Sequence, residues 1–238
     1  MGGAVESSSL SEDQYYNCIF AENSALGGGA MGSGGEARPA FTNCTFTGNS
    51  AAHGDAFYLT SREGVFPSHV SIVNSILWNG EDEIFVADRS TVTVAYSDIK
   101  GGLSSTSAPV GRIVWGMGNI DADPCFVDAP AGDFHLRSQA GRWDAANQSW
   151  VRDEVTSPCI DAGDPLSPIG LEPFPNGGRA NMGAYGRTGE ASRSWFGGPV
   201  CDVIVAGDLN GDCKVDFADI TILAGQWMWH SPQRGIGQ

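Results

Sequence analysis

The sequence is poor in positive charge. Of its 238 residues, 13 are lysine or arginine and 28 are aspartate or glutamate, so the formal net charge is −15. Only Lys100 and Lys214 are lysines. Binding to nucleic acid or to an anionic membrane surface requires clustered basic residues. The composition therefore argues against both partners and favours solubility and the binding of cations.

The sequence also lacks long apolar stretches. No segment reaches the ~18–20 apolar residues that a membrane-spanning helix requires. The first residues, Met1 to Glu6, show neither the basic start nor the apolar core of a secretory signal. Either export is encoded upstream of a fragment or the protein is intracellular, and the repeats described next favour a fragment.

A short motif recurs through the first half of the chain at intervals of ~22 to 31 residues. Its copies begin at Asn17, Asn43, Asn74 and, more weakly, Tyr96. The intervening runs are short, rich in β-branched and aromatic residues, and separated by glycine, asparagine and serine. This pattern predicts the coils of a parallel β-helix, an all-β solenoid in which each strand pairs with its equivalent in the next coil.

Stacked coils place equivalent side chains directly above one another. The trailing asparagines Asn23, Asn49 and Asn79 are expected at turns, because asparagine tolerates the left-handed conformation and its amide can bond the next copy. A second motif, at residues 2–5, 28–31, 54–57 and 82–85, indicates that the chain starts within a repeat. The predicted inward columns are Cys18, Cys44, Ser75 and Ser97 in one and Phe20, Phe46, Leu77 and Ile99 in the other.

The coil region resembles the right-handed parallel β-helix repeats of bacterial surface and secreted proteins. Among these are the polymorphic outer-membrane adhesins, whose Asn-Cys-Thr-Phe-Thr-Gly-Asn motif stands here at residues 43–49. The resemblance covers about the first half of the chain. It implies a right-handed solenoid that serves binding or attachment at a cell surface or outside the cell, with polysaccharide as the candidate ligand.

The segment 208–219 spaces side-chain oxygens as a calcium loop does, and a hard cation requires ~6–8 oxygen ligands on such a tightly turning segment. Cys213 occupies the sixth position, where glycine is usual, and the last ligand is an aspartate instead of a glutamate. The alternative is an acidic turn without metal. The predicted calcium ligands are Asp208, Asn210, Asp212, the backbone carbonyl of Lys214, Asp216 and Asp219.

Apolar residues at helical spacing follow this loop, at Phe217, Ile220, Leu223, Ala224 and Trp227. The stretch 207–227 resembles one repeat of a dockerin domain. The resemblance implies calcium binding and docking onto a cohesin module. Dockerins carry two such repeats, whereas this sequence shows one before residue 238.

Six cysteines in a lysine-poor chain with a calcium loop are typical of an oxidising, extracytoplasmic compartment. For Cys18 and Cys44, a disulfide and two reduced residues packed in one column are equally compatible with stacked coils. Sequential pairing is the simplest of the fifteen connectivities. It would join Cys18 to Cys44, Cys125 to Cys159 and Cys201 to Cys213.

The pattern changes after residue 117. Residues 118–190 are rich in loops, and we interpret them as the last rungs together with a cap over the strand edges that a solenoid would otherwise expose. The predicted organisation is therefore coils over residues 1–117, final rungs and cap over 118–190, a linker over 191–199, and an EF-hand-like, dockerin-like α tail over 200–238.

No catalytic motif is visible in the coils. A polysaccharide lyase needs a base beside calcium-binding acids, and a glycosidase needs two acids facing across a sugar. The ionisable residues of the coils share no column, which favours solvated turn and face residues, and Asp121, Asp123 and Asp128 are turn acids or a second calcium site. The coil candidates are Arg62, Arg89, Lys100, Asp55, Asp88 and Asp98.

The sequence therefore predicts a binding or attachment protein with a calcium-binding tail. Two alternatives remain open. One is a carbohydrate-active enzyme whose catalytic coils are missing or unrecognised, and the other is a purely structural stalk.

Overall fold

The structure is a computed structural model and describes residues 2–61 and 65–195, together with residues 215, 217, 220, 221 and 224. The chain divides into two compact units, Met1–Ser194 and Trp195–Gln238. Every strand named below belongs to the first unit.

The strands are short, and they follow one another coil by coil. The first two coils contain β1 (Val5–Ser7), β2 (Gln14–Tyr16), β3 (Ile19–Ala21), β4 (Ser24–Ala25), β5 (Met31–Ser33), β6 (Ala40–Thr42), β7 (Thr45–Thr47) and β8 (Ser50–Ala51). The next coils contain β9 (Phe57–Leu59), β10 (His69–Val73), β11 (Ile76–Trp78), β12 (Ile84–Val86), β13 (Thr91–Ala95), β14 (Asp98–Ile99), β15 (Thr106–Ser107) and β16 (Arg112–Trp115). Two hairpins follow, with β17 (Phe126–Asp128), β18 (Asp133–Leu136), β19 (Arg142–Asp144) and β20 (Ser149–Val151), and 3-10 turns span Gly102–Ser105 and Ala129–Ala131.

Three parallel sheets run along the coils. Sheet A has the order β1-β5-β9-β12-β15, sheet B the order β2-β6-β10-β13-β16, and sheet C the order β3-β7-β11-β14. Together with the small parallel pair β4-β8 they form a β-solenoid of about four turns with almost no helix. The predicted all-β parallel solenoid is confirmed.

The predicted phenylalanine column is confirmed. Phe20 lies opposite Phe46, Phe46 opposite Leu77, and Leu77 opposite Ile99. The two phenylalanine rings stack with centroids 4.7 Å apart and planes 5° apart. The last three members are fully buried, so a short sequence motif becomes a continuous apolar column through the interior.

The second predicted column is polar as well as buried. Ser75 Oγ accepts a hydrogen bond from the backbone N–H of Cys44 at 3.1 Å, and Ser97 Oγ accepts one from Ser75 N–H at the same distance. The hydroxyls thus accept hydrogen bonds from buried backbone N–H groups. Such N–H groups are costly to bury without a hydrogen-bond partner.

The disulfide prediction is not met in the part of the chain that the structure describes. Cys18, Cys44, Cys125 and Cys159 are all free thiols. Cys18 and Cys44 therefore follow the second interpretation, two reduced residues in one column. Cys201 and Cys213 lie outside the described residues.

The trailing asparagines form a hydrogen-bonded ladder. Asn23 Nδ2 donates to Asn49 Oδ1 at 2.9 Å, and Asn49 Nδ2 donates to Asn79 Oδ1 at 2.8 Å. The predicted bond from one copy to the next is confirmed. The ladder ends on a carboxylate, since Asn79 Nδ2 donates to Glu83 Oε2 at 2.7 Å.

The left-handed conformation lies elsewhere. It was expected at the trailing asparagines, but the structure places it at the leading ones, Asn17, Asn43 and Asn74, with φ of 53°, 53° and 52°. These residues occupy the corner between sheets B and C, where two residues separate one strand from the next. Asparagine adopts this conformation more readily than other residues with a Cβ atom.

The fourth copy of the second motif is shifted by one residue from the prediction. Phe57 lies opposite Ile84, not opposite Phe85. Glu83 therefore takes the column position that Ala56 takes in the preceding coil, and it is fully buried there. The shift explains how a glutamate reaches the end of the asparagine ladder.

Residues 118–194, called the side segment below, run back along the outer side of sheet C. Asn74 bonds residues 164 and 167, and Asn17 Nδ2 donates to the carbonyls of Ala184 and Gly186 at 2.8 and 2.7 Å. The outward-facing Ile76 is fully buried in an apolar cluster with Cys159 and Met182. The segment thus covers a flank of the solenoid from its fourth coil to its first.

Candidate functional site

The six predicted calcium ligands lie outside the described residues, so calcium binding by the tail stays a prediction. They are Asp208, Asn210, Asp212, Lys214, Asp216 and Asp219. Of the helix predicted after them, Phe217, Ile220, Thr221 and Ala224 are described, and all four are α-helical.

The three aspartates considered as a second calcium site act as turn acids. Asp121 accepts from Gly101 N–H at 2.9 Å, Asp123 from Cys125 N–H at 2.8 Å, and Asp128 from Ala131 N–H at 3.3 Å. Among the residues that the structure describes, no three His, Cys, Asp or Glu side chains are grouped so as to hold a metal ion. The turn interpretation is the one that fits.

The ionisable candidates of the coils also have structural roles where they are described. Asp55 accepts from Ala51 N–H at 3.0 Å, and Asp88 accepts from the Ser90 hydroxyl at 2.9 Å. Arg89 is exposed on a turn, and Arg62 lies outside the described residues. These positions do not converge on one catalytic centre.

Asp98 differs from the other described ionisable candidates of the coils because it is fully buried. It is fully buried where the fourth coil meets the side segment, and the Cys159 thiol donates to its Oδ2 at 3.0 Å. Burial raises the pKa of Asp98 to about 7, against hydrogen bonds from Cys159 and Ala122 that lower it. Burial likewise raises the pKa of the Cys159 thiol well above its ordinary value. The pair is a buried joint without solvent access.

A groove follows the outer side of sheet C, between the sheet and the side segment. We call it the sheet C groove. Its central hollow has a volume of about 440 Å³ and lies between Trp78 on β11 and the chain from Asp123 to Arg137. A smaller hollow of about 180 Å³ shares Thr47 and Pro130 with it. On the other side, a hollow of about 410 Å³ shares Arg137 with the central one.

The side-segment wall of the groove is formed by a hairpin whose turn is fixed by nearby residues. Strands β17 and β18 form an antiparallel pair joined by the 3-10 turn Ala129–Ala131. Asp128 caps the start of this turn, and Gly132, with φ of 82°, ends it in the left-handed conformation that favours glycine. The turn brings Ala129 and Pro130 into the walls of both the small hollow and the central one.

The central hollow combines an aromatic surface with groups of both charges. Trp78 is half-buried, and Lys100 Nζ lies 6.0 Å from the centroid of its ring. Lys100 is held there because its Nζ donates to Asn79 O at 2.8 Å. Across the hollow, Arg137 Nη2 donates to Val127 O at 3.0 Å, which holds its guanidinium in the wall that also contains the exposed Asp128.

The third hollow is lined by three arginines, Arg137, Arg142 and Arg152. Arg142 Nε donates to Asp153 Oδ1 at 3.0 Å, and both side chains are mostly buried. No sequence pattern predicted this clustering, because Arg137 directly follows the hairpin β17-β18 whereas Arg142 and Arg152 belong to or directly follow β19-β20. Arg142 begins β19 and Arg152 directly follows β20, so the antiparallel pairing brings both to the open end of this hairpin, and a hairpin pattern is the signal that could have suggested their proximity.

Fold and groove together define the class: a parallel β-solenoid with an extended groove on one flank. Residues 85–163, about a third of the chain, match a family model described as disaggregatase related. The matched region contains the whole side-segment wall of the central hollow. Neither a curated protein nor a solved structure matches the chain. The family match and the solenoid fit a surface or secreted β-helix protein.

The part of the chain that the structure describes includes no helix of the length and apolarity needed to cross a bilayer.

Proposed function

We propose that the protein is a surface or secreted binding protein that holds a polysaccharide chain in the sheet C groove. The observation that carries this proposal is the arrangement of three hollows in series, each sharing wall residues with the next. Sites for small molecules are usually single concave pockets. A row of connected hollows suits a ligand that is itself extended and repetitive.

The groove is open along its length. Asp123, Asp128 and Pro130 on its outer wall are all exposed, so a chain can enter from the side without threading through a pore. The backbone of the wall is fixed by the β17-β18 pair, and sheet C fixes the floor. Binding therefore requires little ordering of the protein, which lowers the entropic cost of association.

The central hollow has the chemistry that a sugar requires. The half-exposed indole of Trp78 offers an apolar face with negative quadrupole to the C–H groups of a pyranose ring. Asp123 and Asp128 can accept from sugar hydroxyls, and Arg137 can donate to them. A mixture of one flat apolar surface and several fixed polar groups is typical of specific ligand sites.

The test is affinity electrophoresis of the full chain through gels that contain members of a panel of soluble polysaccharides. At least one polymer should retard the protein. Trp78→Ala and Arg137→Ala should each weaken that retardation roughly tenfold, which corresponds to about 1.4 kcal/mol. Tyr58→Ala and Arg89→Ala are the matched controls, since both residues lie on other faces of the solenoid. Retardation by no polymer, or equal losses in the controls, would contradict the proposal.

A carbohydrate-active enzyme is the second candidate, because the central hollow does contain two carboxylates, Asp123 and Asp128. A hydrolase uses such a pair as acid and base, or as acid and nucleophile. The same panel assayed for new reducing ends and for unsaturated products decides the matter. Product formation that Asp123→Asn or Asp128→Asn abolishes would establish an enzyme, and stable retardation without product would establish a binder.

The tail belongs to this proposal through its sequence resemblance. We propose that residues 208–219 bind calcium and that the tail attaches the solenoid to a cohesin-like module. Asp208→Ala combined with Asp212→Ala should abolish the calcium-dependent rise in the melting temperature of the full chain. A pull-down on cohesin modules, with and without chelator, separates docking from stabilisation by calcium alone. A parent protein that melts identically with and without calcium would refute the metal site.

A further inference from the structure

One loop of the side segment holds an asparagine followed by glycine where water can reach both. Asn176 is half-buried, and Gly177 and Gly178 are exposed. In an Asn-Gly sequence the backbone nitrogen of the glycine can attack the side-chain amide, because glycine has no Cβ atom to obstruct the approach. The attack closes a succinimide ring and releases ammonia. The groups that surround the reacting atoms therefore determine whether the reaction is fast or slow.

The attacking nitrogen is held against a carboxylate. The backbone N–H of Gly177 donates to Asp161 Oδ1 at 3.2 Å. The approach is close, since a Cβ atom on residue 177 would lie 2.3 Å from Asp161 Oδ2. A carboxylate within hydrogen-bond reach of the proton to be removed meets the geometric requirement for a general base. Asp161 can therefore take the proton as the nitrogen attacks.

The amide group under attack is held as well. The backbone N–H of Gly178 donates to Asn176 Oδ1 at 3.2 Å. Asn176 Nδ2 donates to the carbonyls of Glu172 and Pro173 at 3.3 and 3.4 Å. Negative charge develops on Oδ1 during the attack, and an N–H group already directed at that oxygen stabilises it. The hydrogen bonds thus fix which amide atom becomes the oxyanion and which leaves as ammonia.

A second Asn-Gly pair, Asn79 and Gly80 in the coils, is held differently. Asn79 Oδ1 accepts from the backbone N–H and from Nδ2 of Asn49, at 2.9 and 2.8 Å. Its Nδ2 donates to Glu83 Oε2 at 2.7 Å. Turning this amide onto the Gly80 nitrogen would break the asparagine ladder, so the same dipeptide is protected in the coils. The third Asn-Gly pair, at residues 210 and 211, lies outside the described residues.

We infer that Asn176 is a self-modification site, at which the folded protein releases ammonia with Asp161 as the base. Gly177 N gives its proton to Asp161 and forms a bond to Asn176 Cγ, while an electron pair of the carbonyl moves to Oδ1. The pair returns, the bond from Cγ to Nδ2 breaks, and Nδ2 leaves as ammonia with the proton that Asp161 held. Water then opens the succinimide at either carbonyl and gives aspartate or isoaspartate. Each product adds a negative charge to a loop that already contains the buried Glu172.

Peptide mapping by mass spectrometry of the full 238-residue chain, incubated at neutral pH and digested at acidic pH, tests this inference. The peptide that contains Asn176 should lose the mass of ammonia and then gain that of water. A parallel incubation in guanidinium chloride gives the rates of the unfolded chain, where Asn176 and Asn79 should react alike. Folding should make Asn176 react faster than in denaturant and Asn79 react more slowly.

One variant tests the base. Asp161→Asn keeps an oxygen that can accept from Gly177 N–H, but the amide cannot take the proton. In the folded protein it should slow the loss of ammonia roughly a hundredfold, the lower end of what a positioned general base contributes. Asp164→Asn makes the same change nearby, where the carboxylate accepts from Leu166 N–H at 2.9 Å, and it should leave the rate unchanged. Asn176→Gln should remove the reaction at this position.

The protection of Asn79 shows in each variant whether the coils are still folded, and the comparison of the folded and unfolded parent chain requires no variant. If Asn176 reacts no faster in the folded parent than in denaturant, the inference is overturned. If Asp161→Asn leaves the rate of the folded protein unchanged, or slows the unfolded chain equally, Asp161 is not the base.

Discussion

The coils and the side segment are held together in different ways. In the coils, each residue contacts its own equivalent one turn away, so Phe20 stacks on Phe46 and Asn23 bonds Asn49. The side segment has no internal repeat, and it is fixed by contacts to the coils at many sequence separations. The most regular of these contacts are made by the corner asparagines. The coils are therefore stabilised by the same contacts repeated from turn to turn, whereas the side segment is stabilised by its contacts with the coils.

The two asparagine positions of the motif show this difference within one repeat. The trailing asparagines bond one another and hold coil to coil. The leading asparagines turn the chain in the left-handed conformation and direct their amides outward, where Asn43 Nδ2 donates to Asn181 O at 2.8 Å. At the fourth corner Tyr96 adopts the same conformation, but its side chain has no amide to donate a hydrogen bond. There the guanidinium of Arg179 lies 5.6 Å from the centroid of the Tyr96 ring.

Removing one ring from the phenylalanine column should cause the largest decrease in the free energy of unfolding. Phe46→Ala deletes a fully buried ring that contacts its neighbours above and below, and such changes cost about 3–5 kcal/mol. The loss should appear as a single cooperative decrease of the unfolding free energy in urea, measured by fluorescence and circular dichroism. Phe46→Leu repeats the residue that the next coil uses at this position, and it should cost less than about 1.5 kcal/mol. Equal losses for both variants would contradict the column as the source of stability.

Removing one corner amide should weaken the side segment without weakening the coils. Asn43→Gly preserves the left-handed backbone but deletes the amide that bonds Asn181 and Gly183, and the expected cost is about 1–3 kcal/mol. Asn43→Ala should cost more, since it adds a Cβ atom in a conformation that disfavours one. Limited proteolysis should show faster cleavage within residues 160–190 in both variants. Faster cleavage within the coils instead would contradict the assignment.

Two buried glutamates, one in the coils and one in the side segment, make the stability of the protein depend on pH. Burial raises the pKa of Glu83 in the coils and of Glu172 in the side segment, in each case to about 7 from an ordinary 4.5. Hydrogen bonds from Asn79 to Glu83, and from the Asn181 and Arg187 N–H groups to Glu172, oppose the shift. Between the two pKa values the folded state retains a proton that the unfolded chain has released. Stability is therefore highest below the unfolded value, falls as the pH rises toward about 7, and levels off above it.

The glutamine variants test this pH dependence. Neither Glu83→Gln nor Glu172→Gln can ionise, so each should reduce the difference in unfolding free energy between about pH 5 and about pH 8 by on the order of 1–3 kcal/mol. Below about pH 7, Glu83→Gln should also lower stability, because Asn79 donates to both carboxyl oxygens and the amide nitrogen of glutamine cannot accept. An unchanged difference between the two pH values in both variants would show that these carboxyls do not carry it.

The smallest expected effect concerns thiol reactivity. Cys18 and Cys125 are half-buried, whereas Cys44 and Cys159 are fully buried. Burial raises the pKa of Cys44 to about 12, and the reactive species is the thiolate. Peptide mapping after brief alkylation of the native, reduced protein should show Cys18 and Cys125 modified before Cys44 and Cys159. Stability should not change, and early labelling of Cys159 would contradict its place in the joint with Asp98.

Much of the coil architecture was predictable, because a repeat carries its own register. Aligning the copies of one motif identified the column that contains Phe46 and the asparagine ladder through Asn49. The position of Glu83 could not be predicted, because Phe57 pairs with Ile84 and not with Phe85 as the alignment of the motif copies predicts. No residue in the sequence indicates this shift of one residue in register. The role of Asn43 was also missed, because the hydrogen bonds that the amide makes lie almost a hundred and forty residues away.

The candidate site was less predictable than the fold. Trp78 directly follows Leu77 of the repeated motif but was not singled out, and the opposite wall belongs to a segment that was interpreted as the last rungs together with a cap. Arg137, Arg142 and Arg152 come together through two hairpins and their docking on the solenoid, and no periodic pattern links them. The calcium ligands were the clearest motif in the sequence, and they lie outside the residues that the structure describes.

Hydrogen exchange measured by mass spectrometry on the parent chain and on Asn43→Gly tests most directly the claim that the side segment depends on the coils and not the reverse. Exchange opens in cooperative units, so a locally weakened segment becomes visible against a stable core. The expected result is faster exchange in peptides from residues 160–190, with peptides from residues 57–99 unchanged. Equal acceleration in both sets would contradict the account, since it would show that the two regions unfold as one.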